Sequence, residues 1–121
     1  MRAAIYARVG NPAQLAVQNQ AEVLTGQIRG MWGDSTEIDI YADNGISGLQ
    51  TDRPGLQKLL QEAGTYQGVF VCNLNRLSRS VPDAISLVRQ LKDSGTEVYA
   101  PDRNMVEIAE EIMEIVSGIS T

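Results

Sequence analysis

The 121 residues contain no histidine and a single cysteine, Cys72. Without histidine there is no Ser-His-Asp or Cys-His catalytic pair, and the commonest zinc ligand is missing. One cysteine cannot close an intramolecular disulfide or build a CxxC metal site, so neither a metal nor a disulfide framework is expected. No apolar run approaches the roughly 20 residues of a membrane span. The N-terminus begins Met-Arg-Ala-Ala-Ile-Tyr and turns polar within ten residues, unlike a signal peptide. A cytoplasmic location with no membrane partner is therefore the expectation. Positive charge is also in deficit. The net charge of −5 argues against a generic nucleic-acid binder, which is usually basic. The acids are uneven, however: seven of the fifteen lie between Asp93 and Glu114, while Arg8, Arg53, Arg76 and Arg79 sit away from that stretch. A local cationic site on an acidic domain stays open.

What is present reads as one domain. Ala3–Ala7 is a short apolar run and predicts a buried strand, broken by Gly10-Asn11-Pro12. A helix is expected over about Val17–Gly30, with Val17, Ala21, Leu24 and Ile28 on one face. Glu37–Ala42 alternates as a second strand. A loop rich in turn formers, Asp43–Thr51, leads to Asp52-Arg53-Pro54, which has the look of a helix N-cap region with Pro54 in the first turn. That helix runs to about Ala63, with Leu56, Leu59 and Leu60 inward. Gly68–Cys72 predicts a third strand buried on both faces. A helix from Pro82 to near Gly95 turns Ile85, Val88 and Leu91 inward, and Glu97–Ala100 is a fourth strand. A last helix spans about Asn104–Ile119.

The order β-α-β-α-β-α-β-α implies an α/β fold, with a mainly parallel sheet of four to five strands and helices on both faces. Such sheets place their sites beyond the carboxyl ends of the strands. Arg8, Asp43 and Asn75-Arg76 all fall just after predicted strands, so three separate segments would deliver polar groups to one rim. Arginines with no histidine and no metal cluster suggest a phosphate site, because the guanidinium fork matches phosphate oxygens and stays charged. The plainer alternative is that they are ordinary surface ion-pair partners.

Motifs weigh against that alternative. Tyr6-Ala7-Arg8-Val9, Gln18–Leu24, Tyr41-Ala42-Asp43-Asn44-Gly45-Ile46-Ser47-Gly48, Asp52-Arg53-Pro54-Gly55-Leu56 and Leu74-Asn75-Arg76-Leu77-Ser78-Arg79-Ser80 occur in order. In these segments the chain resembles the catalytic domain of the serine site-specific recombinases, the resolvase/invertase family, over nearly its whole length. The resemblance implies a resolvase-like sheet in flavodoxin-like order and a prokaryotic, phage or mobile-element origin. It also implies dimers that pair into tetramers, with DNA as partner and neither a metal nor a nucleotide cofactor. In the family a serine attacks the DNA backbone, forms a 5′-phosphoserine bond, and the strands are exchanged and resealed. By motif, the active-site positions here are Arg8, Gly10, Gln20, Asp43, Arg53, Asn75, Arg76 and Arg79. Among them Arg8, Arg53, Arg76 and Arg79 would hold the DNA phosphate.

Two positions depart from the pattern. Gly10 stands where the family has its nucleophilic serine, and a glycine has no atom with which to form the covalent intermediate. Asn75 stands where the family has aspartate, which removes a negative charge and a proton acceptor beside Arg76. The expectation is a domain that holds phosphate but does not cleave DNA. The other reading is a non-catalytic interaction or regulatory module that pairs with recombinases or binds DNA phosphates. Substitute nucleophiles are not expected. Ser47 and Ser78 fit loop hydrogen bonding, and Cys72 is placed inside a buried strand, where thiols are inert.

In the last helix Met105, Ile108, Ile112, Ile115 and Ile119 are spaced 3, 4, 3 and 4, an a/d seam. One reading of such a face is simple packing on the domain; by the resemblance it is instead a dimerisation helix, with Ile108, Ile112, Ile115 and Ile119 at the interface. The expected plan is a catalytic-type domain over 1–103 and a truncated dimerisation helix over 104–121, with the family's DNA-binding domain absent.

Overall fold

A computed structural model describes residues 1–9, 14–44, 53–78 and 80–101. Four strands, β1 (Arg2–Val9), β2 (Glu37–Asn44), β3 (Gly68–Phe70) and β4 (Glu97–Tyr99), form one sheet in the order β2-β1-β3-β4. Every neighbouring pair is parallel. Three helices connect them: α1 (Gln14–Trp32), α2 (Pro54–Gln61) and α3 (Val81–Asp93). A 3₁₀ turn, Leu74–Arg76, lies between β3 and α3. The parallel α/β arrangement read from the strand–helix alternation is thus present, with four strands in the described residues. The apolar seam of residues 104–119, with Ile108, Ile112, Ile115 and Ile119, lies outside them.

Alternation along β1 builds both cores. Ala4 and Tyr6 face one side, where they meet Leu56 and Leu59 of α2 and Ile85, Val88 and Leu91 of α3. Ala3 and Ile5 face the other, against Leu24 and Ile28 of α1 and Phe70 of β3. A central parallel strand buried on both faces must be apolar throughout, which is why β1 and β3 lack the polar alternation of a half-exposed strand. On the α1 side Trp32, Phe70 and Tyr99 form an aromatic cluster, Phe70 and Tyr99 stacked at 4.6 Å and Trp32 edge-on to both. Gly68 makes that cluster possible, since a Cβ there would lie 2.7 Å from the Tyr99 ring and 2.8 Å from the Trp32 ring.

Several boundaries differ from expectation. Strands β1 and β2 run on to Val9 and Asn44, so Arg8 and Asp43 lie within strands rather than just after them, and α1 extends beyond Val17–Gly30 at both ends. The apolar run Gly68–Cys72 does not stay in the sheet to its end. The ladder with β4 stops at Phe70↔Tyr99, the Val71 N–H makes a final bond to the Tyr99 carbonyl at 3.1 Å, and the chain turns away toward Leu74. Cys72 therefore sits beyond the strand and is only half-buried, which corrects its placement inside a buried strand. Helix α2 ends at Gln61 rather than Ala63, and Gly64 at φ +97° takes the left-handed conformation that turns the chain toward β3.

Candidate functional site

β1 and β2 run far past the end of β3, and the site is built on that overhang. In the parallel register Arg8 of β1 lies beside Asp43 of β2. Since β3 pairs only with Ala3–Ile5, the segment after it crosses over the protruding end of β1. Arg8 is buried, 2% exposed, among these elements. Its Nε donates to the Arg76 carbonyl at 3.0 Å and its Nη2 to the Asn75 carbonyl at 2.6 Å. Arg76 answers by donating from Nη1 to the Arg8 carbonyl at 3.1 Å, and Gln20 of α1 donates to the same oxygen at 3.4 Å.

Arg53, 4% exposed, enters from the start of α2. Its Nη1 donates to the Leu77 carbonyl and, at 3.5 Å, to the Arg76 carbonyl. Two arginines from separate chain segments, Arg8 and Arg53, thus converge on one stretch of backbone, Asn75–Leu77, whose own Arg76 reaches back to the Arg8 carbonyl. Guanidiniums suit this place because each presents several fixed N–H donors and no acceptor. The Nε groups of Arg53 and Arg76 are buried with no hydrogen-bond partner among the described residues. Burying such donors without an acceptor costs about 1–3 kcal/mol apiece.

Asp43 is the anionic member, 3% exposed. Its Oδ1 accepts from the Gly55 N–H at 2.8 Å, and its Oδ2 accepts from the Leu56 N–H at 3.0 Å and the Tyr6 hydroxyl at 2.7 Å. Burial, followed by the hydrogen bond to Asp43 and the charge of that carboxylate, raises the Tyr6 phenol above its ordinary value, against smaller opposing effects of Arg53 and Arg8. Burial likewise raises the Cys72 thiol, with the nearby Arg76 pulling the other way. Neither group is poised as a nucleophile near neutral pH. Ser78 is buried, and its Oγ accepts from the Ser80 N–H at 3.1 Å, in keeping with a loop-bonding role.

Of the positions singled out by motif, Arg8, Gln20, Asp43, Arg53, Asn75 and Arg76 come together on this rim. Asn75 is exposed there and contributes its backbone carbonyl. Gly10, Ser47 and Arg79 lie outside the described residues. The sequence motif containing Tyr6 does not foretell its bond to Asp43, which joins residues from neighbouring strands and has no local signature. Sequence reasoning also missed a second polar network on the same face of β2. There the Tyr41 hydroxyl meets Glu62 and, at 2.5 Å, the Tyr66 hydroxyl, which donates to Asp39 at 2.7 Å. Arg2 completes it, donating to Asp39 at 3.0 Å. Among the described residues no group of three or more His, Cys, Asp or Glu could hold a metal ion, and no helix is long and apolar enough to cross a membrane.

Comparison with known proteins converges on one family. Over 66 residues the chain is 35% identical to the transposon Tn552 resolvase of Staphylococcus aureus, covering 54% of this chain and 33% of that protein. Over 56 residues it is 41% identical to the serine recombinase gin of Escherichia phage Mu, covering 46% and 28%. The chain thus spans about a third of the length of these curated relatives. Among solved structures it superposes on the N-terminal catalytic domain of TP901-1 integrase with a TM-score of 0.82 at 25% identity, covering 100% of both chains. The C-terminal catalytic domain of ISC1926 TnpA, an IS607-like serine recombinase, shares the fold, with a TM-score of 0.73 at 24% identity over 98% of this chain and 82% of that one. The family model described as "Resolvase, N terminal domain" matches residues 3–120, and the chain belongs to that family, the N-terminal catalytic domains of the serine recombinases.

Proposed function

We propose that this domain serves site-specific DNA recombination as a DNA-phosphate-holding member that does not itself cut the strand. The observation that carries the first half is the convergence of Arg8, Arg53 and Arg76 on one rim, with buried Nε donors of Arg53 and Arg76 left without an acceptor among the described residues. Phosphate oxygens are the acceptors that such forks match best, and the relatives are resolvases and recombinases, whose substrate is DNA. The second half is carried by sequence. Gly10 occupies the nucleophile position, and in other serine enzymes loss of the nucleophile lowers the rate by roughly 10⁶. Here the loss reaches further, because the phosphoserine bond conserves the energy of the broken phosphodiester for resealing. Asn75 replaces the acid beside Arg76 and leaves the rim more cationic.

In this reading the arginines bind and orient a phosphodiester, and no atom is present to attack it. Arg79 joins them by motif. The apolar helix over 104–121 pairs two copies through Ile108, Ile112, Ile115 and Ile119. The same two replacements favour a second reading, in which the domain pairs with an active recombinase and regulates it.

The test is restoration. The chain is fused to a DNA-binding domain of known site and incubated with its DNA, as it stands and with Gly10→Ser plus Asn75→Asp. Covalent protein–DNA adducts are expected only from the restored protein. An adduct formed by the unmodified chain overturns the claim that it does not cut. Mixing the unmodified chain with an active recombinase separates the second reading, which requires that recombination yield change with the mixing ratio.

A further inference from the structure

The motif reading places Asp43 among the catalytic positions, but its surroundings give it a different task. Helix α2 begins in an unusual way. Its N-cap residue is Arg53, extended at φ −124° and ψ 94°, with no side-chain cap bond. Arginine has only donors, so it cannot satisfy the first N–H groups of the helix as Ser, Thr, Asp or Asn does. Pro54 removes one of those donors, leaving Gly55 and Leu56. Both are satisfied by one carboxylate from the neighbouring strand, Asp43, twelve residues before Gly55.

We propose that Asp43 is a positioning residue: held by Tyr6, it caps α2 from the end of β2 and thereby sets Arg53 beneath the Arg76–Leu77 carbonyls. The contacts close a circuit. Tyr6 and Arg8 share β1, Tyr6 holds Asp43, Asp43 seats α2, α2 presents Arg53, and Arg53 and Arg8 both grip the backbone at 75–77. Gly55 permits the seating, since a Cβ there would lie 2.6 Å from the Ala42 carbonyl oxygen and 3.0 Å from Asp43 Oδ1. Both carboxylate oxygens of Asp43 are engaged by donors within the domain, and the group is buried. Held by three donors within the domain, it lacks the exposure of a proton carrier to DNA.

The inference rests on the arginine cluster being a DNA-phosphate site, and it makes a prediction of opposite sign to simple electrostatics. Neutralising an acid beside an anion site should strengthen anion binding by Coulomb's law. If Asp43 instead sets Arg53 in place, neutralising it weakens binding.

The experiment titrates a short fluorescent DNA duplex against the full chain over a range of NaCl concentrations, for wild type, Asp43→Asn, Asp43→Ala, Arg53→Ala, Arg76→Ala and the Asp43→Ala/Arg53→Ala double variant. Asp43→Ala is expected to weaken binding roughly tenfold, as Arg53→Ala does, from the loss of one charge-assisted contact. Its slope of log K against log salt should fall by about 0.9, one phosphate contact. Asp43→Asn retains one acceptor oxygen and should lie between. The double variant should bind no more weakly than Arg53→Ala alone. If the Asp43 variants bind as tightly as wild type or tighter while Arg53→Ala weakens, or if the two losses add, the positioning role is wrong and the phosphate reading survives.

If neither Arg53→Ala nor Arg76→Ala alters binding, the phosphate reading itself fails. The positioning role is then judged by NMR on Asp43→Asn. Faster exchange of the Gly55 and Leu56 amides together with a shifted Arg53 Nε–H resonance is expected. Unchanged signals overturn it.

Discussion

Replacing Gly55 by alanine tests how tightly α2 is seated on the sheet. The added Cβ would stand 2.6 Å from the Ala42 oxygen and 3.0 Å from both the Ala42 carbonyl carbon and Asp43 Oδ1. The first two are backbone atoms of β2, locked in an eight-residue ladder with β1, and cannot swing aside as a flexible side chain would. Relieving the overlap requires α2 to lift off Asp43, and overpacking of this kind costs about 1–3 kcal/mol. Against it stands the better helix propensity of alanine, roughly 0.5–1 kcal/mol in a helix interior and less in the first turn. The net expectation is a destabilisation of about 1–2 kcal/mol, which for a domain of this size lowers the melting temperature by roughly 3–10 °C. Gly26→Ala supplies the control. It makes the same chemical change in α1, on an exposed face with nothing within 4 Å of the new Cβ. There only the propensity acts, and a gain of about 0.5–1 kcal/mol is expected. Melting followed by far-ultraviolet circular dichroism, with urea midpoints at unchanged slope, reads both. A Gly55→Ala protein that melts at or above wild type, or a Gly26→Ala protein destabilised as much, would refute this seating of α2.

Other expectations follow from the same contacts. Tyr66→Phe removes the hydroxyl that bridges Asp39 and Tyr41, and should cost about 1–2 kcal/mol by urea unfolding. Burial raises the phenols of Tyr6, Tyr41 and Tyr66 above their ordinary value. In the folded state these groups keep protons that the unfolded chain releases near pH 10, so stability is complete below about pH 10 and falls above it. Absorbance at 295 nm should show their ionisation coinciding with alkaline unfolding, and normal titration in the folded protein would contradict this. Ser80→Ala removes the N-cap of α3, whose Oγ accepts from the Asp83 N–H at 3.5 Å. So long a bond places the loss at the low end, about 0.5 kcal/mol in thermal unfolding. Ile112→Asp should reduce self-association by light scattering if the last helix pairs two copies, and an unchanged mass would count against that pairing.

Much of this domain was legible because its cues are local. Apolar runs at Ala3–Ala7 and Gly68–Phe70, the helical spacing of Ala21, Leu24 and Ile28, and the alternation of strand and helix all fix elements from neighbouring residues, and the elements in turn put Arg8, Asp43 and Arg76 on one rim. Boundaries were less legible. The apolar character of Val71 and Cys72 says nothing about how much partner strand is available, and β4 offers only three residues. The start of α2 shows the same limit in sharper form. Asp52-Arg53-Pro54 reads as a local cap region, yet Arg53 is the N-cap residue and the capping oxygens come from Asp43 on another element. A side chain's partners across strands are decided by register, which no short segment encodes.

That limit bears directly on how Gly10 and Asn75 should be understood. In the proposed reading these are two isolated replacements, each of which would remove a reactive group. Among the described residues, the hydrogen bonds that join the rim run through the backbone of Asn75 and not its side chain. Arg8, Arg53 and Arg76 are fixed through backbone carbonyls at 8 and 75–77, Asp43 through backbone amides and Tyr6, and Asn75 contributes its main chain to Arg8. A scaffold assembled on backbone atoms tolerates exchange of the side chains at those positions far better than one assembled on the side chains themselves. On this argument the chemical groups can be lost without dismantling the proposed phosphate rim, and the Gly10→Ser and Asn75→Asp changes should return reactive groups to a frame already in place. Melting temperatures of the doubly substituted and unmodified proteins within a few degrees of each other are the expected result. A large difference would mean that the rim had been remodelled around the glycine and the asparagine.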